Sequence, residues 1–169
     1  MLRRPPLLYL GCLVLGFALD RLLPLPLTHP ELASIGWTAG GALIALGIAI
    51  MAAGIRNFSR ADTPVPSNQA VRALVTTGIH GWSRNPIYVG MLLLYAGIGI
   101  AARSPWVLIL ALPLSIILRY GVVAREETYL ERRFGDAYRD YKARVRRWLW
   151  FPGKRASRAA LAARVRRPK

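Results

Sequence analysis

The sequence predicts an all-α, polytopic membrane protein with about four transmembrane helices and a C-terminal amphipathic interfacial helix. Three observations carry this. Of 169 residues, 54% are hydrophobic, against roughly 45–50% in an ordinary soluble domain. The apolar residues gather into long uncharged runs, as a bilayer requires. The basic residues gather elsewhere: 15 of the 24 Lys and Arg lie from Arg125 to Lys169.

Taken in order, the first span runs from about Leu7 to Leu23 and is closed by Pro24 and Pro26. The basic start at Met1–Arg4 has the look of a signal peptide. No small-x-small cleavage site follows, and Asp20-Arg21 come instead, so a retained span is expected. The second span, Trp37–Ile55, is free of charge and long enough to cross at 1.5 Å per residue. The third starts at Pro86 and reaches about Ala102. It is short, which predicts a bounding interfacial element or a locally thinned bilayer. The fourth runs from Trp106 to about Ala124, with Arg119 near its end. Then Tyr129, Leu130, Phe134, Tyr138, Tyr141 and Val145 recur at three- and four-residue spacing, which predicts an amphipathic helix over Glu126–Trp148. One domain, residues 1–152, is expected, with a mobile basic tail over 153–169.

Orientation follows from the short loops. Pro24–Gly36 carries no Lys or Arg and the turn after the third span only Arg103, whereas Arg56, Arg60, Arg72 and Arg84 lie in the loop between the second and third. Both termini are therefore expected in the cytoplasm, at an inner membrane. The net charge of +16 calls for a polyanionic partner. Its position beside an apolar body favours anionic lipid headgroups over nucleic acid. Cys12 is the only cysteine, which excludes a disulfide framework and a cysteine-ligated zinc site; no metal site is expected.

Two stretches could carry chemistry, Leu74–Gly90 and Arg125–Val145. Asn85-Pro86 reads as a helix start, with Asn at the N-cap and Pro at the first helical position. Such an end attracts anions, and Arg84 adds a bidentate cation beside it. The third and fourth spans form an antiparallel hairpin, which puts Glu126 within about one turn of the level of Pro86. Arg84 and a helix N-terminus then face Glu126 and Glu127 across one mouth, an arrangement suited to a zwitterion. Each residue also has a plainer reading. Arg84 sits where topology alone expects Arg, Glu126-Glu127 could complement a helix dipole, and His80 could be an ordinary loop residue. Arg119 could snorkel, and Asp20-Arg21 could pair with headgroups.

Taken together, the two stretches resemble the isoprenylcysteine carboxyl methyltransferase and phospholipid methyltransferase group of membrane enzymes. Leu74-Val75, Gly78, Arg84, Pro86, Tyr88 and Gly90 match its first motif, with His80 in a Tyr place and Asn85 in a His place. Glu126, Glu127, Leu130, Phe134, Gly135, Tyr138 and Tyr141 match its second in register. The resemblance covers about residues 60–148 and implies methyl transfer from S-adenosylmethionine to a lipophilic or membrane-associated acceptor. It implies that Leu74, Val75, His80, Asn85, Pro86 and Tyr88 bind the cofactor, to which the hairpin-mouth geometry adds Arg84 and Glu127. Glu126 takes the junction of cofactor and acceptor, the catalytic place. Val122 stands where the eukaryotic enzymes carry a substrate-contacting Arg, so Arg119 and Arg125 nearby become the candidates for substrate contact. Two other readings compete: an NADPH-dependent membrane reductase of the sterol reductase type, and a non-enzymatic lipid-binding membrane protein.

Overall fold

The computed structural model describes residues 5–25, 33–65 and 71–148, and every regular element among them is helical. The tail expected over 153–169 lies outside the described residues. Helix α1 spans Pro5–Leu22 and α2 spans Ala33–Arg60. A single 3-10 turn at Gly78–Gly81 precedes α3, Pro86–Ala101. Helix α4, Pro105–Ile117, passes through a π-helical stretch at Leu118–Val123 into α5, Ala124–Phe134. Helix α6, Asp136–Arg144, follows. Three helices, Pro5–Leu22, Gly36–Arg60 and the continuous Pro105–Phe134, are long and apolar enough to cross a membrane, and α3 is apolar but shorter.

The most extensive packing joins α2 and α3 along glycines seven residues apart. A Cβ on Gly40 would meet the Gly97 carbonyl oxygen at 2.7 Å, and one on Gly47 the Gly90 carbonyl oxygen at 2.6 Å. Between apolar helices in lipid, attraction comes from close van der Waals contact, and small residues allow it. The 28 residues of α2 measure about 42 Å and the 16 of α3 about 24 Å. Since Gly54 lies against Ile87 near the start of α3, the last turn and a half of α2 projects past α3. Helix α1 rests on α4, where Gly16 admits Val107. The core between them holds Tyr9, Tyr88, Tyr95, Val107, Leu114 and Leu118.

Two expectations change. The sequence predicts a fourth span ending near Ala124 and one separate helix over Glu126–Trp148. The structure runs the span on through α5: no Pro lies in Ile117–Phe134, and Gly121 sits within the π-helical stretch without ending the helix. It then breaks the amphipathic segment at Gly135, whose φ of 54° is a left-handed conformation that favours glycine. Asp20, for which headgroup pairing is one reading, accepts a hydrogen bond from Ser104 Oγ. Ser104 also caps α4 by accepting from the Val107 N–H at 3.1 Å, and the Trp106 indole donates to the Leu23 carbonyl at 2.7 Å. These contacts close the end of the α3–α4 hairpin opposite the candidate site.

Candidate functional site

The projecting end of α2 forms one wall. Asn57 Nδ2 donates to the Thr77 carbonyl at 2.9 Å, and Thr63 Oγ1 accepts from the Arg72 N–H at 2.7 Å, which ties the following loop back to the helix. Gly78 turns with φ of 57°, and a Cβ there would strike the Asn57 side chain at 2.5 Å. The 3-10 turn then delivers His80 beneath Phe58, with ring centroids 4.8 Å apart in an edge-to-face pair. His80 is 3% exposed, and burial lowers its imidazole from the ordinary 6.5 to about 4. It therefore stands neutral at physiological pH. Its carbonyl accepts from the Tyr141 hydroxyl at 2.6 Å, so α6 clamps the turn from below.

Pro86 begins α3 with Asn85 at the cap position, as the sequence predicts, but the Asn85 side chain does not cap. It donates instead to the Arg147 carbonyl at 3.1 Å. Two further bonds run to the same segment, from the Arg84 N–H to the Arg146 carbonyl at 3.0 Å and from Ser83 Oγ to the Arg147 carbonyl at 3.3 Å. Val145–Trp148 is thus a strap laid along Ser83–Asn85. The same Arg147 grips Glu127 with both arms of its fork, Nε to Oε1 at 3.0 Å and Nη2 to Oε2 at 2.6 Å. Arg84 pairs with Glu127 through Nη2 at 3.2 Å, and both side chains are more than nine-tenths buried, at 8% and 7% exposure. Arg84 Nε and Nη1 are buried and find no hydrogen-bond partner among the described residues. Tyr138, beside them, is pushed up to about 12 by burial and by the Glu127 charge, with the Arg84 cation opposing.

Across the mouth the Tyr88 hydroxyl donates to Glu126 Oε1 at 2.8 Å, joining α3 to α5. Glu126 owes its direction to the π-helical stretch upstream, since each i→i+5 bond holds an extra residue in the turn and rotates everything after it. A cleft with about 570 Å³ of empty space opens between Pro5, Phe58, Val65, His80, Arg84–Tyr88, Met91 and Glu126. A second lobe of about 460 Å³ shares Phe58, His80, Arg84, Asn85 and Glu126, and reaches Leu74, Val75, Glu127, Leu130, Tyr138 and Tyr141. Together the lobes gather Leu74, Val75, His80, Arg84, Asn85, Pro86, Tyr88, Glu126 and Glu127. The lining thus sets a cation, Arg84, beside Glu126, a group able to accept from a cation or hydroxyl. Arg119 and Arg125 are exposed, line neither lobe, and Arg119 instead lies over the Tyr120 ring at 5.2 Å. Arg147 and Ser83 escape a sequence reading that treats the basic C-terminal residues as a lipid-facing set. The signal that could have found Arg147 is the surplus acid of the Glu126-Glu127 pair, which needs a second cation.

The chain is 59% identical over 34 residues to an uncharacterized protein of Haemophilus influenzae; the match takes in 20% of this chain and 54% of that protein, so the chain spans about half the length of that relative. No solved structure matches. A family model described as phospholipid methyltransferase matches residues 35–137, which takes in α2, the 3-10 turn, the α3–α4 hairpin and Glu126-Glu127. Its bounds contain every residue of the cleft except α1's prolines and the far part of α6. With an all-helical body built to cross a membrane, this chain is an integral membrane protein of the phospholipid methyltransferase family.

Proposed function

We propose that the protein transfers a methyl group from S-adenosylmethionine to a lipophilic acceptor at the cytoplasmic membrane face, in a site of the isoprenylcysteine carboxyl methyltransferase type. One observation carries the reading: Arg84 and Glu126 line the same cleft, and two buried guanidinium nitrogens of Arg84 have no hydrogen-bond partner among the described residues. A buried charged donor without a partner costs free energy, and a ligand carboxylate removes that cost with charge-assisted bonds. Phe58, Val65, Ile87 and Met91 give the cleft apolar walls for an adenine base. The residues thus fit the cofactor: Arg84 for its carboxylate, with Leu74, Val75, His80, Asn85, Pro86, Tyr88 and Glu127 around it.

Bound there, S-adenosylmethionine would supply an electrophilic methyl carbon on a sulfonium. The chain's part is then to position an acceptor in line with it. Tyr88 holds the Glu126 carboxylate at the mouth. A carboxylate acceptor needs no base, whereas a thiol or ammonium acceptor must first lose a proton, and Glu126 is the group placed to take it. The acceptor enters from the bilayer and the water-soluble cofactor from the cytoplasm, where both termini lie and where the basic tail meets anionic headgroups.

Arg84→Ala should weaken binding of S-adenosylmethionine roughly ten- to hundredfold, the worth of one charge-assisted contact. Glu126→Gln should leave affinity nearly unchanged and lower turnover, as expected of a group that matters most in the transition state. Calorimetry and a methyl-transfer assay on membrane lipid extract measure the two. Unchanged affinity in the first variant together with unchanged turnover in the second defeats the site.

A further inference from the structure

Glu127 has two cationic partners, and they are not equivalent. Arg147 meets it with the full bidentate fork, at 3.0 and 2.6 Å, while Arg84 touches it through one terminal nitrogen at 3.2 Å. The fork saturates the carboxylate on the Arg147 side. Nε and Nη1 of Arg84, both buried, are thereby left without a hydrogen-bond partner among the described residues. Were Arg147 absent, Glu127 would be a buried anion with a single cation at hand. A carboxylate in that state draws its remaining partner into a bidentate pair, which would add one of the two unpartnered Arg84 nitrogens to the Nη2 already engaged.

We propose that Arg147 is a positioning residue of the cofactor site: by engaging Glu127 bidentately it keeps two Arg84 nitrogens free to take a ligand carboxylate. The proposal rests on the S-adenosylmethionine reading and names what sets the site's preference for a carboxylate-bearing cofactor. The strap hydrogen bonds fit this role. Asn85 Nδ2 and Ser83 Oγ donate to the Arg147 carbonyl, so the backbone that carries the fork is fastened to the segment that carries Arg84. Arg147 itself lines neither lobe and acts through Glu127 alone.

The test compares S-adenosylmethionine with its decarboxylated analogue, by calorimetry on the purified full chain. The proteins are the parent, Arg147→Ala, Arg147→Lys, Glu127→Gln and the Arg147→Ala/Glu127→Gln pair. Arg147→Ala should weaken S-adenosylmethionine about tenfold, the scale of one charge-assisted contact, and leave the analogue's affinity within experimental scatter. The double variant should regain most of the loss, because a neutral amide no longer competes for Arg84. Arg147→Lys keeps the charge without the fork and should fall between; if Arg147→Ala does not fold, it carries the same comparison of ligands and the same rescue. A strap with a purely structural role predicts otherwise: both ligands weakened alike and no rescue by Glu127→Gln. Either of those results, or unchanged affinity, overturns the proposal. A parent that binds neither ligand overturns the cofactor reading itself, and the inference with it.

Discussion

At the scale of single residues, the site is a set of buried polar groups whose partners are unevenly shared. His80 is the one whose environment makes a prediction about stability. The folded protein lowers its imidazole to about 4 from 6.5, so as pH falls the unfolded chain takes up the proton first. Stability owed to the neutral ring is fully present above about pH 6.5, is lost progressively below it, and levels off once pH passes the folded value near 4. The shift corresponds to something on the order of 3 kcal/mol. His80→Asn should remove this part of the acid sensitivity: the difference in unfolding free energy between variant and parent should shrink as pH drops from 7 to 4. A constant difference over that range counts against a buried neutral imidazole. Which residues meet at the mouth was largely legible in the sequence, because Asn-Pro, the Glu pair and a short hairpin turn fix their level by helix geometry alone. Partnership was not. Asn85 reads as a side-chain cap yet donates to the Arg147 carbonyl, since a strap 62 residues away competes for its amide. No local pattern encodes that competition.

At the scale of elements, the α2–α3 seam decides how the helices assemble, and it was invisible to a hydropathy reading that saw only two apolar runs. Gly40, Gly47 and Gly54 line one face of α2, and Gly90 and Gly97 one face of α3. Gly47→Ala should force the pair apart, because the new methyl would sit 2.6 Å from the Gly90 carbonyl oxygen and 2.8 Å from the Leu94 nitrogen, both backbone. Overpacking of this kind costs about 1–3 kcal/mol. Gly41→Ala, on the same helix with nothing within 4 Å, should be neutral or stabilising by up to about 1 kcal/mol from helix propensity. Thermal unfolding in detergent measures both, and equal effects at the two sites would sink the seam. The fourth helix teaches a related lesson. Its apolar period ends near Ala124, but a helix continues until the backbone stops it, and Gly135 is the first residue that does. The amphipathic pattern of Glu126–Trp148 therefore identified a face correctly and an element boundary incorrectly: Tyr138, Tyr141 and Val145 share one small core with Leu74, Leu130 and Phe134.

At the scale of the whole molecule, composition and span hydropathy made the fold class readable, and the spacing of the two motifs brought the family within reach. What they did not reveal is how the two ends of the hairpin differ. Arg84, Glu126, Glu127 and Arg147 crowd one end, while the other is closed by Ser104, Asp20 and Trp106. The loop basic residues predict that the crowded end is cytoplasmic. A C-terminal reporter active only in the cytoplasm should therefore report activity, and one active only outside it should stay silent; the reverse pattern inverts the orientation.

The shortness of α3 beside α2 sets the mouth of the cleft about 24 Å of helix away from the sealed end of the hairpin. Under the proposed activity on a lipid acceptor, the reacting groups in a sealed vesicle holding the protein one way round would touch only one leaflet. Acceptor in the facing leaflet would be consumed first, and acceptor in the other would wait on transverse lipid movement. The reaction course would then carry two phases, the second a clock for flip-flop rather than for catalysis. An enzyme of this shape would imprint lipid asymmetry on its membrane simply by working.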